Sequence, residues 1–157
     1  PDSRKHWRLL TDRVMGGRSN GELRADEYLG RPCLRMTGRV STDNNGGFIQ
    51  AALDLKEDLL RDASAYEGIV IDVYGNDESY NLHLRQDGLW LPWQSFRASF
   101  TSSPQWQTHY LPFADFTAYK TSAKLKPGRL TRIGLIAIGR DFAADLCLGK
   151  IGYYRSP

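Results

Sequence analysis

Residues 67–76, EGIVIDVYGN, set β-branched side chains at every second position and run into the turn Gly75-Asn76-Asp77. Successive strand side chains point to opposite faces. A chain made of such segments buries its apolar rows only by laying one sheet against another. The pattern recurs. Residues 80–86, YNLHLRQ, put Tyr80, Leu82 and Leu84 on one face and Asn81, His83 and Arg85 on the other. Residues 94–100, QSFRASF, set Phe96, Ala98 and Phe100 against Ser95, Arg97 and Ser99. Residues 33–41, 47–55, 106–113 and 146–154 read as further strands, and TRIGLIAIG, residues 131–139, as a strand buried on both faces. About nine or ten strands with Gly/Asn/Asp/Pro turns predict an all-β antiparallel sandwich or barrel.

Helical signals are sparse. Residues 53–66, LDLKEDLLRDASAY, have near-helical apolar spacing but also read as a loop with one turn; residues 112–116, PFADF, read as one turn opened by proline. Residues 117–129, TAYKTSAKLKPGR, form the longest polar connection and the expected mobile loop. No repeat or interdomain linker interrupts residues 1–157, so one domain is expected.

The charge balance, 21 Lys+Arg against 18 Asp+Glu, is too even and too interspersed to indicate a nucleic-acid partner. No apolar run reaches the roughly 18 residues of a transmembrane segment. No signal-peptide pattern opens the chain, although a start at Pro1 is compatible with removal of an upstream segment. The two cysteines, Cys33 and Cys147, read first as small buried hydrophobes; a disulfide requires their strands to be neighbours. His6, His83 and His109 are scattered, and nothing in the spacing predicts a metal centre or cofactor.

Two glycine-rich stretches need a reason. DRVMGGRSNGEL spans residues 12–23 and DNNGGF residues 43–48. Neither has a phosphate-loop pattern, so the glycines are expected to serve turns and bulges at a sheet edge. Asp12 and Asp43 are conceivable calcium ligands, without any loop spacing to support it.

Alternation also nominates a surface. Gln50, Asp72, Tyr74, His83, Arg85, Ser95 and Arg97 all fall on outward positions of their strands and are expected to form one polar patch. The competing expectation is a solvated sheet face with ion pairs such as Asp72 with Arg85 or Arg97. In LWLPWQSF, residues 89–96, Trp90 is the aromatic expected to be exposed and to bind, while Trp93 and Phe96 read as core or rim. A patch of arginines, histidine, amide and indole suits a carboxylate, a sugar or a polar peptide segment. Catalysis would need a constellation such as His83 oriented by Asp72 beside Ser95 or Ser99. No catalytic signature accompanies those residues, and a non-enzyme is expected.

One set of motifs is ordered along nearly the whole chain. Trp7, DRVMGGRSNG at residues 12–21, NNGGF at 44–48, YEGIVIDVYGND at 66–77, SYNLHLR at 79–85, Trp106 and LPFADF at 111–116 together resemble the complex I intermediate-associated protein 30 family. The resemblance implies a jelly-roll β-sandwich of two antiparallel sheets, like galactose-binding domains. It also implies non-catalytic work as an assembly or scaffolding factor, with protein partners such as respiratory-chain subunits. A carbohydrate-binding module is the alternative. The turn at Gly75-Asn76-Asp77-Glu78 departs from the Gly-Asp-Gly-like turn common in the family. A compact domain without long extensions is expected of a bacterial rather than a mitochondrial member, and a cytoplasmic location is the expectation.

Overall fold

The computed structural model describes residues 7–43, 46–55 and 61–155. Eleven strands run through these residues: β1 (Trp7–Thr11), β2 (Asn20–Tyr28), β3 (Arg31–Val40), β4 (Phe48–Asp54), β5 (Gly68–Tyr74), β6 (Ser79–Gln86), β7 (Ser95–Thr101), β8 (Trp106–Pro112), β9 (Thr117–Tyr119), β10 (Leu130–Ile138) and β11 (Phe142–Tyr154). They form two antiparallel sheets, β1-β4-β10-β6-β7-β9 and β2-β3-β11-β5-β8, packed face to face as a β-sandwich. The alternating segments became strands, and β1, β2 and β9 are additional. β2 escaped notice because it is an edge strand bearing Glu22, Arg24 and Asp26 on exposed or half-buried positions.

The core lies between the sheets. Met36, Ile69, Ile71 and Leu146 project into it from the five-stranded sheet, and Ile49, Leu82, Leu84, Phe96 and Leu135 from the six-stranded one. Each such side chain contributes about 1.5–3 kcal/mol on burial. β10 sits in the middle of its sheet, between β4 and β6, and its residues from Ile133 to Ala137 are buried on both faces.

The glycine-rich stretches have a common centre. Asp12 opens a short 3-10 turn, Asp12–Met15, that ends on Gly16 at φ +85°. Its side chain is fully buried. Oδ1 accepts from the Ser19 N–H at 2.9 Å, and Oδ2 accepts from the Ser19 hydroxyl at 2.5 Å and the Gly47 and Phe48 N–H groups at 2.5 and 3.1 Å. The Ser19 hydroxyl in turn accepts from the Ser41 N–H at 2.8 Å. One carboxylate therefore ties the β1–β2 loop to the β3–β4 loop. Gly17 and Gly46 are bare because the carboxylate fills their side-chain space; a Cβ on Gly46 would lie 2.6 Å from Oδ2. Burial raises the Asp12 pKa, but the four hydrogen bonds outweigh it and hold the carboxyl below its ordinary range. The Asp12 oxygens are thus occupied by N–H and O–H donors, and the described residues contain no cluster of metal-ligating side chains. Asn44 and Asn45 of the motif lie outside the described residues.

The structure decides between alternatives at two further places. Cys33 and Cys147 stand on neighbouring strands, β3 and β11, with Cα atoms 5.5 Å apart, and form a disulfide rather than two separate thiols. Of the stretch with helical spacing, Leu53 and Asp54 end β4, residues 56–60 lie outside the described residues, and the remainder is turn. The polar connection carries β9 and a 3-10 turn, Pro127–Arg129, and is tied down: Gln86 donates to the Lys124 carbonyl at 3.0 Å and accepts from the Lys126 N–H at 2.7 Å.

Candidate binding groove on the six-stranded sheet

Register sets the site. On the outer face of the six-stranded sheet, Gln50 on β4 opposes Ile136 on β10, and Gly134 on β10 opposes His83 on β6. His83 opposes Arg97 on β7. Gly134 is bare for a local reason: the Gln50 amide lies across it, in the space a Cβ would take. Gln50, His83, Arg97 and Ile136, with Phe48, Arg85, Pro92, Gln94, Ser95, Arg132 and Ile138, line a groove of about 100 Å³.

His83 points outward but is only 7 % exposed, walled by Arg97 and the amide that crosses Gly134. Burial, and then the Arg97 charge, push its pKa down to about 3, so the ring is neutral at ordinary pH. Its Nε2 lies 3.3 Å from the Asn81 amide nitrogen, and Asn81 Oδ1 accepts from the Ser99 hydroxyl at 2.6 Å. Ser95 is buried and accepts from Arg97 Nε at 2.9 Å. The Arg97 guanidinium lies 3.5 Å over the Tyr119 ring.

Arg85 is turned onto backbone rather than onto solvent. Nη1 donates to the carbonyls of Leu91, Pro92 and Gln94 at 2.9, 3.2 and 2.6 Å, and Nη2 to that of Leu89 at 3.0 Å. Gln94 adds a contact to the Leu91 N–H at 3.1 Å and donates to the Lys120 carbonyl at 3.2 Å. A strand arginine therefore fixes the β6–β7 loop, and that loop holds its indoles out into solvent. Trp90 is 89 % exposed, as expected, whereas Trp93, expected in the core or rim, is 54 % exposed; Phe96 is buried.

Two nominated residues belong elsewhere. Asp72 and Tyr74 are on β5, in the five-stranded sheet, on the opposite side of the sandwich. Asp72 accepts from Thr108 at 2.6 Å and pairs with Arg31 at 3.1 Å, not with Arg85 or Arg97. Tyr74 stacks on Tyr28, centroids 4.6 Å apart, and meets Trp106 edge-on. Alternation gives the inward or outward sense of a side chain but not which sheet its strand joins. The same separation removes the pairing of His83 with Asp72. Sequence reasoning also missed Gln94, Arg132 and the apolar lining of Phe48, Ile136 and Ile138. For Arg132, the signal was its place in the same alternating run as Gly134 and Ile136.

The two-sheet β-sandwich is shared with solved carbohydrate-binding modules. The family 11 module of the cellulosomal cellulase Lic26A-Cel5E of Clostridium thermocellum superposes with a TM-score of 0.79 at 13 % identity, over 96 % of this chain and 88 % of that one. The family 30 module of a cellulosomal cellulase of the same organism gives 0.70 at 17 % identity, over 96 % and 91 %. An agarase, AgWH50C, gives 0.63 at 11 % identity, where this chain corresponds to 24 % of that protein. These likenesses define a jelly-roll, galactose-binding-like fold. The chain belongs to the complex I intermediate-associated protein 30 family, whose model matches residues 1–148. No curated protein matches it in sequence.

Proposed function

We propose that this chain is a non-catalytic recognition domain that holds a segment of a protein partner on the outer face of the six-stranded sheet, as an assembly or scaffolding factor does. The observation that carries this reading is the β6–β7 loop. Two exposed indoles, Trp90 and Trp93, stand beside the groove on a loop already locked by four Arg85–carbonyl hydrogen bonds. Pre-ordered exposed tryptophans bind without a large entropic cost and are frequent anchors of protein interfaces. Family membership supports the reading, since the family is named for an association with complex I intermediates, and it makes respiratory-chain subunits the first partners to test. The groove residues are neutral or cationic and include no carboxylate for general acid–base work. The lowered pKa of His83 makes it a weak base. No helix among the described residues is long and apolar enough to cross a membrane. The Cys33–Cys147 disulfide favours an oxidising compartment over the cytoplasm expected from the sequence.

A second reading has its own support. The same face would bind a carbohydrate, with Gln50, Asn81, Gln94 and Ser99 hydrogen-bonding hydroxyls and Trp90 stacking on a sugar ring. A family 11 module of this fold is known with a β-1,3-1,4-mixed-linked tetrasaccharide bound.

Both are tested with one pair of proteins, wild type and Trp90→Ala/Trp93→Ala. Affinity capture from native membranes and soluble extract, read by mass spectrometry, should recover defined protein partners with wild type and lose them with the variant. A glycan array should stay blank for both. A glycan signal that depends on Trp90 and Trp93, with no protein partner, would replace the first reading by the second.

A further inference from the structure

Four strand arginines project from the outer face of the six-stranded sheet, and three have carboxylate or carbonyl partners. Arg8 and Arg132 share the Asp54 carboxylate, at 2.6 and 3.1 Å. Arg85 is taken up by carbonyls. Arg97 has only the Ser95 hydroxyl and the Tyr119 ring. Among the described residues it has no carboxylate partner, and neither of its terminal nitrogens meets a protein acceptor. No Asp or Glu lines the groove onto which it opens.

A half-buried guanidinium without a counter-charge is expensive, and its pKa is lowered by that burial. The Tyr119 face offsets part of the cost by cation–π attraction. The paired terminal N–H groups remain available, in the planar fork that matches a carboxylate. His83 beside it is neutral and adds no charge of its own. The room is also informative. About 100 Å³ is well below the roughly 300–1,000 Å³ of sites that enclose a small-molecule ligand, and is enough for one side chain. Phe48, Ile136, Ile138 and Pro92 give the groove apolar walls, and Trp90, Leu91 and Trp93 are exposed on the adjoining loop.

We infer that the groove receives a single Asp or Glu side chain of a protein partner, its carboxylate on the terminal nitrogens of Arg97, with an apolar neighbour in the partner packed on the Trp90–Trp93 loop. This rests on the reading of the chain as a protein-binding domain and specifies the chemistry of that partner.

The test is selection of a displayed library of random dodecapeptides on the whole chain, followed by binding measurements on the best peptide. Peptides enriched on wild type should share an acidic position with an aromatic or aliphatic residue within about three positions. Replacing that acid by its amide should weaken binding at least tenfold on wild type and have no effect on Arg97→Gln, which should itself bind the parent peptide at least tenfold more weakly. Arg97→Lys should recover part of the loss, and Arg31→Gln, on the other sheet, should bind like wild type. Because the amide replacement is made in the peptide, the test stands even if Arg97→Gln folds poorly. Enriched peptides that need Trp90 but share no acid would overturn the inference and leave the protein-binding reading intact. So would an acid-to-amide loss of equal size on wild type and Arg97→Gln. Failure to enrich any peptide, with oligosaccharide binding that Arg97→Gln abolishes, would overturn both.

Discussion

Replacing Asp12 by asparagine should unfold more of this protein's stability than almost any groove substitution. The carboxylate receives four hydrogen bonds, three of them at Oδ2. An asparagine oriented with its oxygen at the Oδ2 position keeps three donors but turns its NH2 against the Ser19 N–H. That leaves one buried N–H opposed by a donor, at a cost of about 1–3 kcal/mol. The other three bonds lose their charge assistance, and a charge-assisted bond is roughly twice as strong as a neutral one. The sum is about 3–5 kcal/mol, a large part of the ~5–15 kcal/mol typical of a domain. Urea unfolding followed by tryptophan fluorescence reads the loss directly. The pH dependence gives a second check. Asp12 is held below its ordinary pKa, so its contribution is fully present above the unfolded value of about 3.9 and is lost as pH falls through the folded one. Wild type and Asp12→Asn should therefore converge in strong acid. A loss under 1 kcal/mol at pH 7, or a difference that does not shrink in acid, would refute the account of the glycine-rich motifs as a buried carboxylate clamp.

Three further outcomes follow from the same geometry. His83 is held neutral, with its pKa pushed to about 3; the unfolded chain takes up a proton below about 6.5 and the native one does not, so stability should fall as pH drops from 6.5 toward 3. Chemical denaturation at pH 7 and 4.5 should show about 2–3 kcal/mol of this loss in wild type and much less in His83→Gln. Removing the disulfide with Cys33→Ala/Cys147→Ala opens a loop of 114 residues and should cost about 3–5 kcal/mol in urea unfolding. Arg85→Ala strips four carbonyls of their donor, and the loop should loosen; faster hydrogen exchange across residues 89–94, with exchange in β5 unchanged, is the expected readout.

Much of the architecture was legible because burial follows a period of two. Leu82 and Leu84 alternate with His83 and Arg85 in the chain and in space. The sandwich and its groove strands could be read from such rows, and the turn at Phe113–Asp115 from the proline before it. What alternation cannot encode is partnership between strands. Asp72 and Tyr74 satisfy the pattern as well as Gln50 does, yet β5 pairs with β8 and β11 and takes them to the opposite surface. The disulfide was illegible for the same reason, since its two halves become neighbours only through the β3–β11 ladder. The buried state of His83 depends on a glycine at position 134 and an amide on β4 that crosses it, a three-strand arrangement without a local signature. Trp93 was misread because an apolar residue beside a strand normally belongs to the core, whereas here Arg85 holds its loop away from it.

Hydrogen exchange on the chain in complex with a protein partner it captures tests the central claim most directly. Binding should slow exchange at residues 48–52, 89–97 and 132–138 and leave the outer strands of the other sheet unchanged. Protection confined to the surface around Tyr28, Tyr74 and Trp106 would place recognition on the five-stranded sheet and contradict the account.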